Sequence, residues 1–136
     1  MVKIKVDKNV FRRANVKLAY LFGSRAKGVS AKKSDYDIAV LFKKKNGSSF
    51  FLNEASGLKD ALRKYFPNEV DIVPLNDANS LLKYEAISAG IPLFSEDEKF
   101  RIDFEVLSVK EYIDDQYMRD IYTDALTKRL RVRKLT

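Results

Sequence analysis

The 136-residue chain has no cysteine, no histidine and a single glutamine. Without cysteine it has no disulfides, no thiolate metal sites and no cysteine nucleophile, a usage compatible with a cytoplasmic protein. Without histidine, a Ser-His-Asp triad, an imidazole base and a His-ligated zinc site are all excluded. A general base must therefore be a carboxylate, a lysine, a tyrosine or a metal-bound hydroxide. No apolar run approaches the ~20 residues of a membrane span. Met1 to Asp7 alternates and is charged, unlike a secretory signal. Neither an internal repeat nor a low-complexity segment is present.

What is present suffices for a folded domain: 46% of residues are apolar, enough for a core, and the length suits one domain. The net charge of +7 is unevenly spread. Residues 1–66 hold sixteen Lys/Arg against five Asp/Glu, residues 67–127 five against fourteen, and residues 128–136 five against none. A basic front half suits a polyanionic substrate, and an acidic segment followed by a basic tail suits a docking surface or a solvated one.

Periodicity predicts a small mixed sheet packed with helices, an α/β or α+β fold. Val16 to Phe22 reads as a buried strand ended by Gly23. Ser24 can cap a short helical turn closed by Gly28, and Val29 to Ser34 is a polar loop. Asp35 to Phe42 reads as a second strand. A helix capped by Ser48 or Ser49 follows, with Phe51, Ala55, Leu58, Leu62 and Tyr65 on one face and Pro67 as its stop. Glu69 to Leu75 is a third strand, Asn76 or Asp77 opens a helix to about Ala89, and Ile91 to Phe94 is a fourth strand. A Ser95–Glu98 capping box predicts a long helix. Its apolar stripe, Ile102, Val106, Val109, Ile113, Tyr117 and Ile121, continues to about Leu126 and is core, or in part a surface for a partner.

The chemistry centres on Gly23-Ser24, ten further residues, and Asp35-Tyr36-Asp37. Gly23 lets the backbone approach a phosphate, and Ser24 adds a hydroxyl at a helix N-terminus, which favours anions. Arg25 and Lys27 add charge near that pocket. Asp35 and Asp37 point to the same face of their strand, about 6.5–7 Å apart along the chain. Two such carboxylates repel unless a cation lies between them, and Mg²⁺ takes carboxylates together with substrate phosphates. Alone, an Asp-x-Asp pair is a common solvated strand edge, and Gly-Ser is a common turn. The ordered combination points to a metal-borne nucleotide triphosphate. Asp71 interrupts the apolar run Val70-Asp71-Ile72-Val73, where a charge is paired or binds metal unless the strand is a surface edge. Three carboxylates can hold two cations.

At these residues the chain resembles the minimal nucleotidyltransferases of the DNA polymerase β superfamily, over about residues 16–95. Its shortness and its Gly23-Ser24-Arg25-Ala26-Lys27-Gly28 form resemble the MntA-type antitoxins. The resemblance implies catalytic metal ligands at Asp35 and Asp37, a third carboxylate at Asp71, and a triphosphate grip at Gly23 and Ser24. It implies two Mg²⁺ ions, ATP as substrate, and a HEPN-domain RNase toxin as partner, silenced by AMP placed on a tyrosine. Residues 1–95 are then the nucleotidyltransferase core. Residues 96–136 are a helix and basic tail that pack on it or dock a partner, within one domain. Two alternatives stand: transfer to an RNA 3′ end or a small-molecule hydroxyl, and an antitoxin that neutralises by contact alone. Direct nucleic-acid binding is not favoured, because the basic residues are not interleaved with aromatics.

Overall fold

A computed structural model describes residues 5–23, 35–43 and 49–135. Strand β1 (Val16–Phe22) is buried at every position except Lys17. That burial follows from its place inside the sheet, whose order is β3-β2-β1-β4. Strand β2 (Tyr36–Phe42) and strand β4 (Ile91–Ser95) flank β1 and run antiparallel to it. Strand β3 (Val70–Pro74) lies on the edge, parallel to β2.

A parallel pair needs a crossover. Helix α2 (Ser49–Leu62) supplies it, extended by a 3₁₀ turn at Arg63–Tyr65. Leu58 and Leu62 of α2 are buried in the first core layer, with Val10 and Phe11 from helix α1 (Lys8–Arg13). The second layer covers the opposite face of the sheet. There Leu18, Tyr20, Phe22 and Ala39 meet Ala86 of helix α3 (Ser80–Ala89) and, half-buried, Phe100 and Phe104 of helix α4 (Glu98–Leu135). Alternation along β2 sends Tyr36, Ile38 and Val40 into the first layer and Ala39 into the second. Asp37 shares the face of Ala39 by the same alternation.

The strands fall within a residue of their predicted limits, and β1 matches them. Asp35 lies one position before β2. Helix starts differ more. The predicted cap Asn76 is used elsewhere: its side chain accepts from the Phe42 amide at 3.0 Å and donates to the Phe42 carbonyl at 2.9 Å. Asn79 caps α3 in its place, accepting from the Leu82 amide at 2.9 Å. Likewise Ser95 closes β4 and forms no capping box. Asp97 caps α4 by accepting from the Lys99 amide at 3.0 Å, and Glu98 binds Arg101 at 2.6 Å. Helix α1 was not anticipated, although Asp7 caps it by accepting from the Asn9 amide at 3.0 Å. The expected Ser24 cap, the turn to Gly28, the loop 29–34 and Ser48 lie outside the described residues.

The first turns of α4 are fastened to the sheet. The buried Tyr20 hydroxyl donates to Glu105 at 2.9 Å, and Arg101 bridges Glu98 and Glu105, each at 2.6 Å. Lys17 sits 3.9 Å from the Phe100 ring centroid. Helix α3 runs beside α4 as far as a Tyr84–Tyr112 stack, 4.1 Å between centroids, and a Lys83–Glu111 pair at 3.4 Å. From Ile113 to Arg131 every α4 residue is exposed. The expected stripe is thus open to solvent from its start, with Ile102 53% and Val106 60% exposed, and α4 packs on the sheet through Phe100, Phe104 and the buried Ser108 instead. Among the described residues no helix is long and apolar enough to cross a membrane.

Candidate active site

The register of the sheet builds the site. Phe22, Asp37 and Asp71 lie in one row across β1, β2 and β3. Because the pleat sends residues of one row to one face, Asp37 and Asp71 emerge side by side. Asp35, two positions before Asp37, is exposed at the same strand end. Tyr36, between the aspartates, is buried and packs at a tilt against Phe66 with ring centroids 4.9 Å apart, which pins the strand end and leaves Asp35 and Asp37 to the opposite face.

Gly23 directly follows β1 with φ +77°, a left-handed backbone conformation. A Cβ there would lie 2.7 Å from Asp37 Oδ2. Glycine is therefore needed twice: for the backbone angle and for the closeness of the turn to the Asp37 carboxylate. The turn after β1 and the acidic end of β2 form one feature.

Electrostatics agree with the geometry. Burial holds the Asp37 pKa above its ordinary value of 3.8, and the negative charges of Asp71 and then Asp35 push it the same way. The Asp71 carboxylate lies 3.9 Å from Lys59 of α2, which also reaches Glu69 at 4.0 Å. Lys59 carries no motif, and its place follows only from the path of the crossover helix along the edge strand. Among the described residues no three His, Cys, Asp or Glu side chains are close enough together to hold a metal ion.

The donors nonetheless suit a hard divalent cation. They are carboxylate oxygens, they repel one another, and Asp37 is made reluctant to ionise by burial first and then by its acidic neighbours. A cation among them would remove that cost. The turn at Gly23 leaves the Asp37 side open where any Cβ would crowd it. Of the residues singled out in the sequence, Gly23, Asp35, Asp37 and Asp71 come to one end of the sheet. Ser24, Arg25 and Lys27 lie outside the described residues.

Comparison with known proteins gives three results. The family described as polymerase beta, nucleotidyltransferase matches residues 5–99. No curated protein matches the chain. Among solved structures, a toxin–antitoxin crystal structure with AMP-PNP is similar at 26% identity and TM-score 0.65, over 90% of this chain and 99% of that one. A tri-AMPylated Shewanella oneidensis HEPN toxin in complex with MNT antitoxin is similar at 26% identity and TM-score 0.63, over 88% and 91%. A MntA–HepT toxin–antitoxin structure is similar at 26% identity and TM-score 0.62, over 88% and 92%.

Proposed function

Because the chain belongs to the polymerase β nucleotidyltransferase family, we propose that it transfers AMP from ATP to a hydroxyl, in the first instance a tyrosine, of a HEPN-domain RNase toxin. It would thereby act as the antitoxin of a toxin–antitoxin pair. The observation that carries this reading is the similarity to chains crystallised with AMP-PNP and with an AMPylated HEPN toxin, over almost their whole length. The row of Asp37 and Asp71 beside Gly23 adds a chemical reason.

In the reaction the acceptor oxygen attacks the α-phosphorus. An O–P bond forms, the bond to the β-phosphate bridge breaks, and pyrophosphate leaves. Asp35, Asp37 and Asp71 would hold Mg²⁺, in two positions by our reading. Bound there, Mg²⁺ neutralises the phosphates and lowers the pKa of the attacking hydroxyl. The chain's own part is placement. Gly23 brings the turn close to Asp37, and Ser24, Arg25 and Lys27 would grip the triphosphate. With no histidine in the sequence, the hydroxyl proton passes to a carboxylate or to water. Lys59 neutralises Asp71 until metal and nucleotide bind. The reading divides the chain into a catalytic core, residues 1–95, and a helical extension, residues 96–136, that contacts a partner.

The test is incubation of the full chain with α-labelled ATP, Mg²⁺ and the HEPN partner. Label on the partner, and loss of its RNase activity, is the expected result. An unlabelled partner beside a well-folded chain rejects the proposal. RNA extended by the chain alone would point to a nucleic-acid acceptor.

A further inference from the structure

The distal part of α4 is exposed throughout, with only the start of α3 beside it among the described residues, yet it is rich in apolar side chains. Met118 is 62% exposed, Ile121 48% and Tyr122 70%. Helix α3 begins beside it at Ser80, leaving a groove of about 550 Å³ that Leu81, Met118 and Tyr122 help to line. An isolated helical arm with so much apolar surface gains little from its own propensity, since helices in water are held mainly by packing of an apolar face.

The sequence of the arm says what covers it. Take the point between Ile121 and Tyr122 as a centre and read outward both ways. Ile121 meets Tyr122, Met118 meets Ala125, and Tyr117 meets Leu126. Asp114 meets Arg129, Asp115 meets Lys128, and Arg119 meets Asp124. In these pairs apolar positions fall on apolar ones and acids on bases, while Asp120 falls on Thr123. At 100° per residue, Asp114, Met118, Ile121, Tyr122, Ala125 and Arg129 all project within about 50° of one line along the helix. Such a segment is complementary to a second copy of itself laid antiparallel. Across a two-fold axis at the centre, the pairs on that line, Ile121–Tyr122, Met118–Ala125 and Asp114–Arg129, become intermolecular pairs, and each occurs twice. Neither Asp114 nor Arg129 makes an ion pair with another described residue, so this pair of charges is free to serve the contact.

We propose that this chain forms a two-fold homodimer in which residues 113–130 of α4 pair antiparallel with the same residues of a second copy. Met118, Ile121, Tyr122 and Ala125 form its apolar centre, and Asp114–Arg129 sets its register. The catalytic end of the sheet belongs to the globular part of each copy, so the dimer would carry two sites. A toxin bound on the same face is the competing occupant, and symmetry separates the two.

The measurement is the dimer dissociation constant of the full chain by sedimentation equilibrium, with circular dichroism as a check on folding. Wild type is expected to be a dimer at micromolar concentration. Ile121→Arg should weaken the dimer by roughly a hundredfold or more, since it places two charges at the axis. Asp114→Arg and Arg129→Asp should each weaken it by roughly tenfold, because like charges then face each other twice. The double variant Asp114→Arg/Arg129→Asp should return to within about threefold of wild type. A wild-type chain that stays monomeric at 100 times micromolar, a folded Ile121→Arg chain that still dimerises as wild type does, or a double variant no better than either single one would overturn the proposal. A face that is covered only when the toxin is added would overturn it too.

Discussion

At Gly23 a single missing methyl group links backbone to chemistry. Gly23→Ala must accept φ +77° and a contact of 2.7 Å with Asp37 Oδ2. The backbone strain alone costs about 1–3 kcal/mol. Relief by pushing the Asp37 side chain aside would spoil the carboxylate row. We therefore expect a lower urea midpoint together with a loss of AMP transfer of at least ~10²-fold, read by denaturation and by label transfer on the same preparation. Asp37 makes a separate prediction about pH. Its pKa is raised on folding, so the native state binds the proton more tightly than the unfolded chain. The resulting stabilisation is full below about pH 3.8 and is lost as pH rises through the folded value. Without metal, Asp37→Asn should lack this decline and unfold at an equal or higher temperature than wild type at pH 7. Addition of Mg²⁺ and AMP-PNP should reverse the order by stabilising wild type alone. Thermal melts of both proteins at pH 4 and pH 7, with and without ligand, check each sign.

At the scale of elements, a hydrogen bond ties β1 to the first turns of α4. Tyr20 is 1% exposed. Its hydroxyl pKa is held well above the usual range by burial first and then by the hydrogen bond to Glu105. Tyr20→Phe removes a donor and leaves Glu105 to Arg101, so stability should fall by about 1 kcal/mol, seen in chemical denaturation, while AMP transfer stays within a fewfold of wild type. This network had no signature in the sequence, because Tyr20 and Glu105 lie 85 positions apart. The strands were legible for a physical reason. Each is a short apolar run closed by a glycine, a proline or a charged turn, and the sheet buries them as wholes. Helix starts were less legible. Asn76, Asn79, Ser95 and Asp97 are all competent caps, and tertiary structure chooses among them: Asn76 is taken by the Phe42 backbone, and Ser95 by β4. Helix α1 escaped notice because its six residues are too few to show a period.

For the whole molecule, the site was legible to the extent that it is local. Gly23, Asp35 and Asp37 belong to one strand-turn-strand passage, and Asp71 stood out as a charge in an apolar strand. Parallel pairing of β2 with β3 then sets Asp71 beside Asp37. Lys59 could not be foreseen, since nothing in a helical period says that α2 passes the edge of β3. The uneven charge also takes on a place: much of the acidic segment lies on α4, which reaches about 57 Å if straight. The central claim remains that the carboxylates at the end of β2 and β3 perform AMP transfer. The most direct measurement compares wild type with Asp35→Ala/Asp37→Ala in transfer of label from α-labelled ATP to the HEPN partner, with toxin RNase activity read in parallel. Wild type should label and silence the toxin, and the folded double variant should do neither. A double variant that still labels the toxin would contradict the account, and one that silences it without label would show neutralisation by contact in place of chemistry.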